Sequence, residues 1–171
     1  LEGGTRVPCI LRFPNVIPAG EVTDKLTTAI DLLPTLAAAC GIKLKEGPGI
    51  VPKLDGLNLW ESLQGKTKTH PRKSLLYWHG WAMPQAIRVG DFKLYLDKVK
   101  EIPGTNKGPA LIDLSKDPAE EKDLASEYPE KVKSMKGLAE KLLSEIEENS
   151  ISLGGPNSPR KQNKKGAFWL K

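Results

Sequence analysis

Cysteine is scarce in this 171-residue chain, with Cys9 and Cys40 the only two. Two thiols make no disulfide framework, and neither lies in a CxxC or Cys/His spacing suited to zinc. Both occupy apolar settings and are expected to be buried thiols, a disulfide between them staying open in an oxidising compartment. Long apolar runs are missing as well. The longest, around Ala37-Ala38-Ala39-Cys40, is far short of the roughly 20 residues that cross a bilayer, so no membrane span is expected. Nothing repeats at a fixed period, which argues against a repeat array. An initiator Met and a signal-peptide pattern are also absent. A start at Leu1-Glu2-Gly3-Gly4 is expected of a segment cut from within a longer gene product.

Acidic residues are absent from the end of the chain. Residues 151–171 carry Arg160, Lys161, Lys164, Lys165 and Lys171 with no Asp or Glu, and these account for the whole net charge of +5. The basicity therefore belongs to the tail and the body is balanced. The Gly/Pro-rich tail reads as solvated and disordered, with Phe168-Trp169-Leu170 able to pack back. Its active alternative is a grip on a sulfated polysaccharide or a nucleic acid by charge and stacking.

What is present suffices for a core, the hydrophobic share being 39%. Arg6–Phe13, reading RVPCILRF, is near-continuously apolar between Gly3-Gly4 and Pro14-Asn15, which predicts a strand buried on both faces. Asp31 predicts an N-cap, with Pro34 in the first helical turn, Leu32, Leu33, Leu36 and Ala37 as the apolar stripe and Gly41 as the stop. Asp55 caps a second, short helix over Leu57–Leu63 that ends at Gly65. From Ser74 the period shortens. SLLYWHG, AIRVGDFKLYLD and ALIDL read as strands of a small antiparallel sheet with one face covered, Phe92, Leu94 and Leu96 opposing Lys93, Tyr95 and Asp97. The cover is a helix from near Pro129, whose Val132, Met135, Leu138, Leu142, Leu143 and Ile146 recur at steps of three and four. The polar stretch GKTKTHPRK near residue 66 marks the best boundary.

Six blocks, taken together, resemble the sulfatases of the arylsulfatase type in the alkaline phosphatase superfamily. They are Glu2-Gly3-Gly4-Thr5-Arg6-Val7-Pro8, Phe13-Pro14 with Ile17-Pro18-Ala19-Gly20, Ile30-Asp31-Leu32-Leu33-Pro34-Thr35-Leu36, Asp55-Gly56 with Leu59, Arg88-Val89-Gly90-Asp91-Phe92-Lys93-Leu94, and Leu111 through Glu120. Their order is the family's order from residue 2 to about 145. The resemblance implies an α/β, alkaline-phosphatase-like fold. Residues 1–65 would be the C-terminal end of the catalytic domain and its large mixed sheet. Residues 66–150 would be the small C-terminal antiparallel-sheet-plus-helix domain, and 151–171 the basic tail.

Similar enzymes hydrolyse sulfate esters with a formylglycine made from a Cys or Ser in a C-x-P-S-R-like motif, and with a divalent metal, usually calcium. Both are expected in the intact enzyme, and neither is expected to be bound by this chain. Cys9-Ile10-Leu11-Arg12-Phe13, Cys40-Gly41-Ile42-Lys43-Leu44 and Ser158-Pro159-Arg160 all depart from the nucleophile motif, and no Asp/Asn cluster resembles a metal cage. The resemblance therefore implies no catalytic residue here and no activity alone. The partner it implies is the N-terminal catalytic portion, with a sulfate ester, such as a sulfated carbohydrate, as substrate. Nucleic acid is disfavoured, and the setting is periplasmic, secreted or lysosomal. His79 is the candidate substrate contact, and Glu2, Gly3 and Gly4 the candidate wall of the sulfate pocket. Asp31, Asp91, Asp113 and Asp117 fit caps and turns. A non-catalytic anionic polysaccharide- or nucleic-acid-binding module on the same fold, and a phosphonate or phosphodiester hydrolase, are the alternative readings.

Overall fold

The computed structural model describes residues 1–45, 53–79, 83–97 and 108–149. The basic tail, and with it the Phe168-Trp169-Leu170 segment, lies outside the described residues. Four strands, β1 Ser74–His79, β2 Met83–Val89, β3 Phe92–Tyr95 and β4 Ala110–Asp113, form one antiparallel sheet in the order β1-β2-β3-β4. The run AIRVGDFKLYLD is thus two strands. Gly90 takes φ +57, a left-handed conformation that L side chains rarely adopt, and turns the chain between Val89 and Phe92.

Period-two alternation gives the sheet two faces. Leu76, Ile87, Leu94, Leu96 and Leu111 point to one, where Met135 and Ala139 of the C-terminal helix (α3, Pro129–Asn149) close over them. Val132, Leu138, Leu142, Leu143 and Ile146 pack around that core, as their helical spacing predicts. The opposite face carries Ala86, Tyr95, Ala110, Ile112 and Leu114, with Tyr77 at its edge. Only one covered face was expected, yet Lys93 is 2% exposed and Tyr95 1%. The first residues of the chain and Glu120 lie over that face and neutralise the charge it carries.

Before the sheet stand two short helices, α1 Leu32–Ala39 and α2 Trp60–Leu63. Each ends in a paired-carbonyl C-cap closed by a left-handed glycine. In α1, the Gly41 N–H donates to Ala38 O (3.1 Å) and that of Ile42 to Ala37 O (2.8 Å). In α2, the Gly65 N–H donates to Ser62 O and that of Lys66 to Glu61 O (3.0 Å). The second helix starts at Trp60, later than expected, and Asp55 does not cap it: its N-cap residue is Leu59, without a side-chain cap bond, and Asn58 Oδ1 accepts the Trp60 N–H at 2.9 Å in an Asx turn just before it.

Three further expectations are corrected. Arg6–Phe13 forms no strand, since a strand exists through the ladder it pairs with and the described residues offer it none. The buried side of α1 is Thr35 and Ala37, whereas Leu32, Leu33 and Leu36 face outward, Leu36 at 56% exposure. Cys9 and Cys40 are free and exposed for the same reason, the absence of a layer over this apolar side among the described residues. Leu114 to Glu120 is a string of turns. The Ser115 N–H and hydroxyl both donate to Asp113 Oδ1, and the N–H groups of Glu121 and Lys122 to the Asp117 carboxylate.

Gly56 has the tightest surroundings of the described glycines. A Cβ built there would lie 2.0 Å from the Ile30 carbonyl oxygen and 2.8 Å from its carbon, both backbone atoms. Gly56→Ala is therefore expected to destabilise the chain by about 1–3 kcal/mol through overpacking. A lower urea midpoint at unchanged slope checks it, and an unshifted midpoint contradicts it.

Candidate functional site

Glu2, expected at a pocket wall, lies in a single 3-10 turn, Glu2–Gly4, with its side chain turned away from solvent into the sheet. It is 3% exposed. Its Oε1 accepts from Arg88 Nη1 at 2.9 Å and its Oε2 from Lys93 Nζ at 3.1 Å. Lys93 Nζ also reaches Glu120 Oε1 at 3.0 Å, and Tyr95 Oη donates to the same oxygen at 2.9 Å. Glu120 Oε2 takes the backbone N–H of Glu2, closing the ring. The Lys93 ammonium sits 4.6 Å from the centre of the Tyr77 ring and 4.9 Å from that of Tyr95. Two acids and two bases thus meet in one largely buried cluster.

The electrostatics follow from that enclosure. Burial pushes the Tyr95 hydroxyl far above its usual range, helped by its bond to the Glu120 carboxylate. Tyr77 moves upward as well, first by burial and then by the Glu2 charge. Both phenols stay protonated, and that of Tyr95 donates to Glu120. Glu120 reaches the ring from a left-handed backbone, φ 60, an unusual conformation for a residue with a side chain. Holding its carboxylate at the ring offsets that strain.

A second buried clasp lies at Asp31. Expected as a helix cap, it makes no side-chain cap bond to α1. Its carboxylate instead accepts from Thr28 N–H (3.1 Å), Leu57 N–H (2.7 Å), Arg72 Nε (2.8 Å) and Arg72 Nη2. Arg72 Nη2 also donates to Asp55 O at 2.9 Å, and Thr35 Oγ1 bridges Asp31 O and the Leu59 N–H. Burial alone would raise the Asp31 carboxyl. The Arg72 hydrogen bond outweighs it, together with the Leu57 N–H, the Arg72 charge and the Thr28 N–H, and holds it below the ordinary carboxylate range.

The structure separates the remaining candidates. Gly3 and Gly4 are exposed, with open space where a Cβ would be. His79 ends β1, paired in register with Met83, and its side chain lies outside the described parts. His70 is half-buried beside Arg72, its Nδ1 3.4 Å from the Arg72 carbonyl. Asp91 and Asp117 serve turns. Among the described residues no group of three His, Cys, Asp or Glu is placed to hold a metal ion. No described helix is long and apolar enough to cross a membrane.

Arg72, Arg88, Lys93 and Glu120 went unrecognised as a set. Arg88, Lys93 and Glu120 stand inside the matched blocks, but Glu2 meets Glu120 across 118 positions of chain. The one local signal was a lysine in the middle of a strand, two residues before Tyr95 on the same face.

Comparison with known proteins gives these clusters a context. Residues 1–149 match the family described as N-sulphoglucosamine sulphohydrolase, C-terminal. Human arylsulfatase A is 33% identical over 160 residues, covering 80% of this chain and 30% of that protein. Human steryl-sulfatase is 33% identical over 147 residues, covering 72% and 24%. Among solved structures, that of BT4656 in complex with its substrate D-glucosamine-2-N,6-O-disulfate aligns with a TM-score of 0.58 at 24% identity, over 81% of this chain and 28% of that one. The last is a likeness of fold. The chain belongs to the sulfatase family, as a C-terminal sulfatase domain with α/β architecture. It spans about a quarter to a third of the length of these relatives.

Two outcomes test the clusters. Lys93→Met leaves Glu2 and Glu120 buried without their shared cation and is expected to cost about 3–5 kcal/mol in urea unfolding. A cost under about 1 kcal/mol would show the ring to be dispensable. For Asp31 the folded carboxyl lies below its ordinary value. Its stabilisation is therefore complete above the unfolded value of about 3.9 and is lost as pH falls through the folded one. Wild type should lose stability below about pH 4 more steeply than Asp31→Asn, measured as urea midpoints at pH 3 and pH 6.

Proposed function

We propose that this chain is the C-terminal portion of a sulfuric ester hydrolase and that hydrolysis requires polypeptide it does not contain. The observation that carries the reading is an uneven distribution of burial. Ile87, Leu94, Leu111 and Ile112 of the sheet are fully buried, whereas Ile10 is 92% and Val22 91% exposed, and Leu33, Leu36 and Ile42 are exposed with them. So much open apolar surface on one stretch of chain marks an interaction face. The occupant we assign is the remainder of a sulfatase, because the matched relatives are three to four times longer than the matched segment.

In this reading residues 1–65 complete the catalytic domain, Arg6–Phe13 joining its sheet as a strand and α1 packing its leucines against it. Residues 66–150 are the smaller domain and 151–171 the tail. Formylglycine and calcium belong to the polypeptide outside the chain, the first as source of the nucleophile and the second neutralising sulfate oxygens. Gly3 and Gly4, exposed while Glu2 is anchored, are the part of the first turn free to line a sulfate pocket. His79, at the end of the β1–β2 hairpin where β1 leads on to β2, is the proposed substrate contact, and a sulfated carbohydrate the proposed substrate class. The family's periplasmic, secreted or lysosomal setting is the proposed location.

The purified chain is expected to show no turnover of an aryl sulfate with calcium present. Mixed or co-expressed with the upstream portion of its own gene product, it should become part of an active enzyme. Hydrolysis by the pure chain would overturn the assignment of the catalytic groups. Failure of the two portions to associate would overturn the assignment of the apolar face.

A further inference from the structure

The outer side of α3 carries charges distributed against the preference of a helix that meets only water. Met135 and Ala139 are buried against the sheet, and the opposite side of the helix carries Lys133, Gly137, Ser144 and Glu148, all exposed. Their spacing, steps of four, seven and four, sets them on one line along the helix at about 3.6 residues per turn. Lys133 and Lys136 lie in its N-terminal half. The last turn holds Glu147 and Glu148 and no basic residue, where the helix dipole favours cations. Lys133, Lys136 and Glu148 make no salt bridge among the described residues, and Glu148 accepts from the Ser144 hydroxyl at 3.5 Å.

Gly137 adds an independent observation. It stands in the middle of the helix, where glycine lowers stability relative to alanine. A Cβ built there would have nothing within 4 Å, so no described neighbour requires its absence.

A second α3 lying against the first in the opposite direction accounts for both features. Reversing the helix about the midpoint between Glu140 and Lys141 brings Glu148 of one copy opposite Lys133 of the other, and Ser144 opposite Gly137. Two-fold symmetry makes each contact twice. Lys136 and Glu147 fall on one flank of the same line and add to the charge match. The small side chains of Gly137 and Ser144 let the two backbones approach closely. The acidic last turn of each copy then lies beside the lysines of the other, which offsets the dipole mismatch. A parallel pairing would instead set lysine against lysine and glutamate against glutamate.

We propose that the outer side of α3 is a self-association surface, pairing antiparallel with α3 of a second copy of this chain. One helix pair is a small, polar contact, so the association is transient and weakens with salt. It leaves the first turn of the chain uncovered, because α3 and Glu2 lie on opposite faces of the sheet. The inference goes beyond the hydrolase reading and does not depend on it.

Sedimentation velocity of the full chain at low and high salt, up to about 1 mM where even a weak contact is populated, tests it. Wild type should show a monomer–dimer equilibrium that weakens at high salt. One charge-reversed chain carries Lys133→Glu with Lys136→Glu, and another carries Glu147→Lys with Glu148→Lys. Each alone should be monomeric, and an equimolar mixture should restore a dimer containing one of each. Gly137→Leu should abolish dimerisation while leaving the urea midpoint unchanged or higher, since leucine is the better helix former. Monomer throughout, association insensitive to these substitutions, or failure of the mixed chains to pair would overturn the proposal. None of these results bears on turnover, so failure here is distinct from failure of the hydrolase reading.

Discussion

The ammonium of Lys93 rests between two carboxylates and two tyrosine rings, on a sheet face that would otherwise be open to water. Burying a lysine in the middle of a strand is costly unless its charge is met. Here Glu2 and Glu120 meet it, and Arg88 balances the second acid. The first turn of the chain and the loop after β4 are thereby held to the same face of the sheet. The contact joins Glu2 to Glu120 across 118 positions of chain. Every buried side-chain nitrogen and oxygen among the described residues has a hydrogen-bond partner, so the ring carries no residual desolvation penalty from an orphaned atom.

Asp31 repeats the arrangement on a smaller scale. Its carboxylate collects the N–H groups of Thr28 and Leu57 and the fork of Arg72, so that three segments are registered by one side chain. Thr35 adds a hydroxyl to the same junction, and the close approach of Gly56 to the Ile30 carbonyl keeps the loop tight against it. Both clasps join the segment before residue 65 to the segment after it. A polar junction of this kind sets geometry more than it adds stability, since an ion pair taken from water gains little net free energy. The apolar surface of the first segment is left exposed among the described residues. The geometry therefore presents that surface while fixing its origin.

Much of this architecture was legible beforehand where the physics is local. Residues Pro129–Asn149 form a helix because their apolar side chains recur at helical steps. The glycines at 41 and 65 end helices because an αL cap tolerates no Cβ without cost. The family resemblance rested on such local blocks in order, and 1–149 match accordingly. Expectations failed where a partner was needed to decide the outcome. Arg6–Phe13 has the composition of a strand but no neighbour to form a ladder with, and Leu33 and Leu36 make an apolar stripe that faces no described layer. The cysteines followed those segments out to the surface.

By itself, the order of residues determined the family, the meander of short strands with its covering helix, and the helix stops. These depend on periodicity and on backbone preference, which act within a few residues of each other. Only the tertiary structure decided that Glu2 is anchored by Arg88 and Lys93, that Lys93 is buried, and that the Asp31 carboxylate joins three segments. Those roles arise from charges that meet across long separations of chain, and a charged residue bears no local mark of which opposite charge will neutralise it.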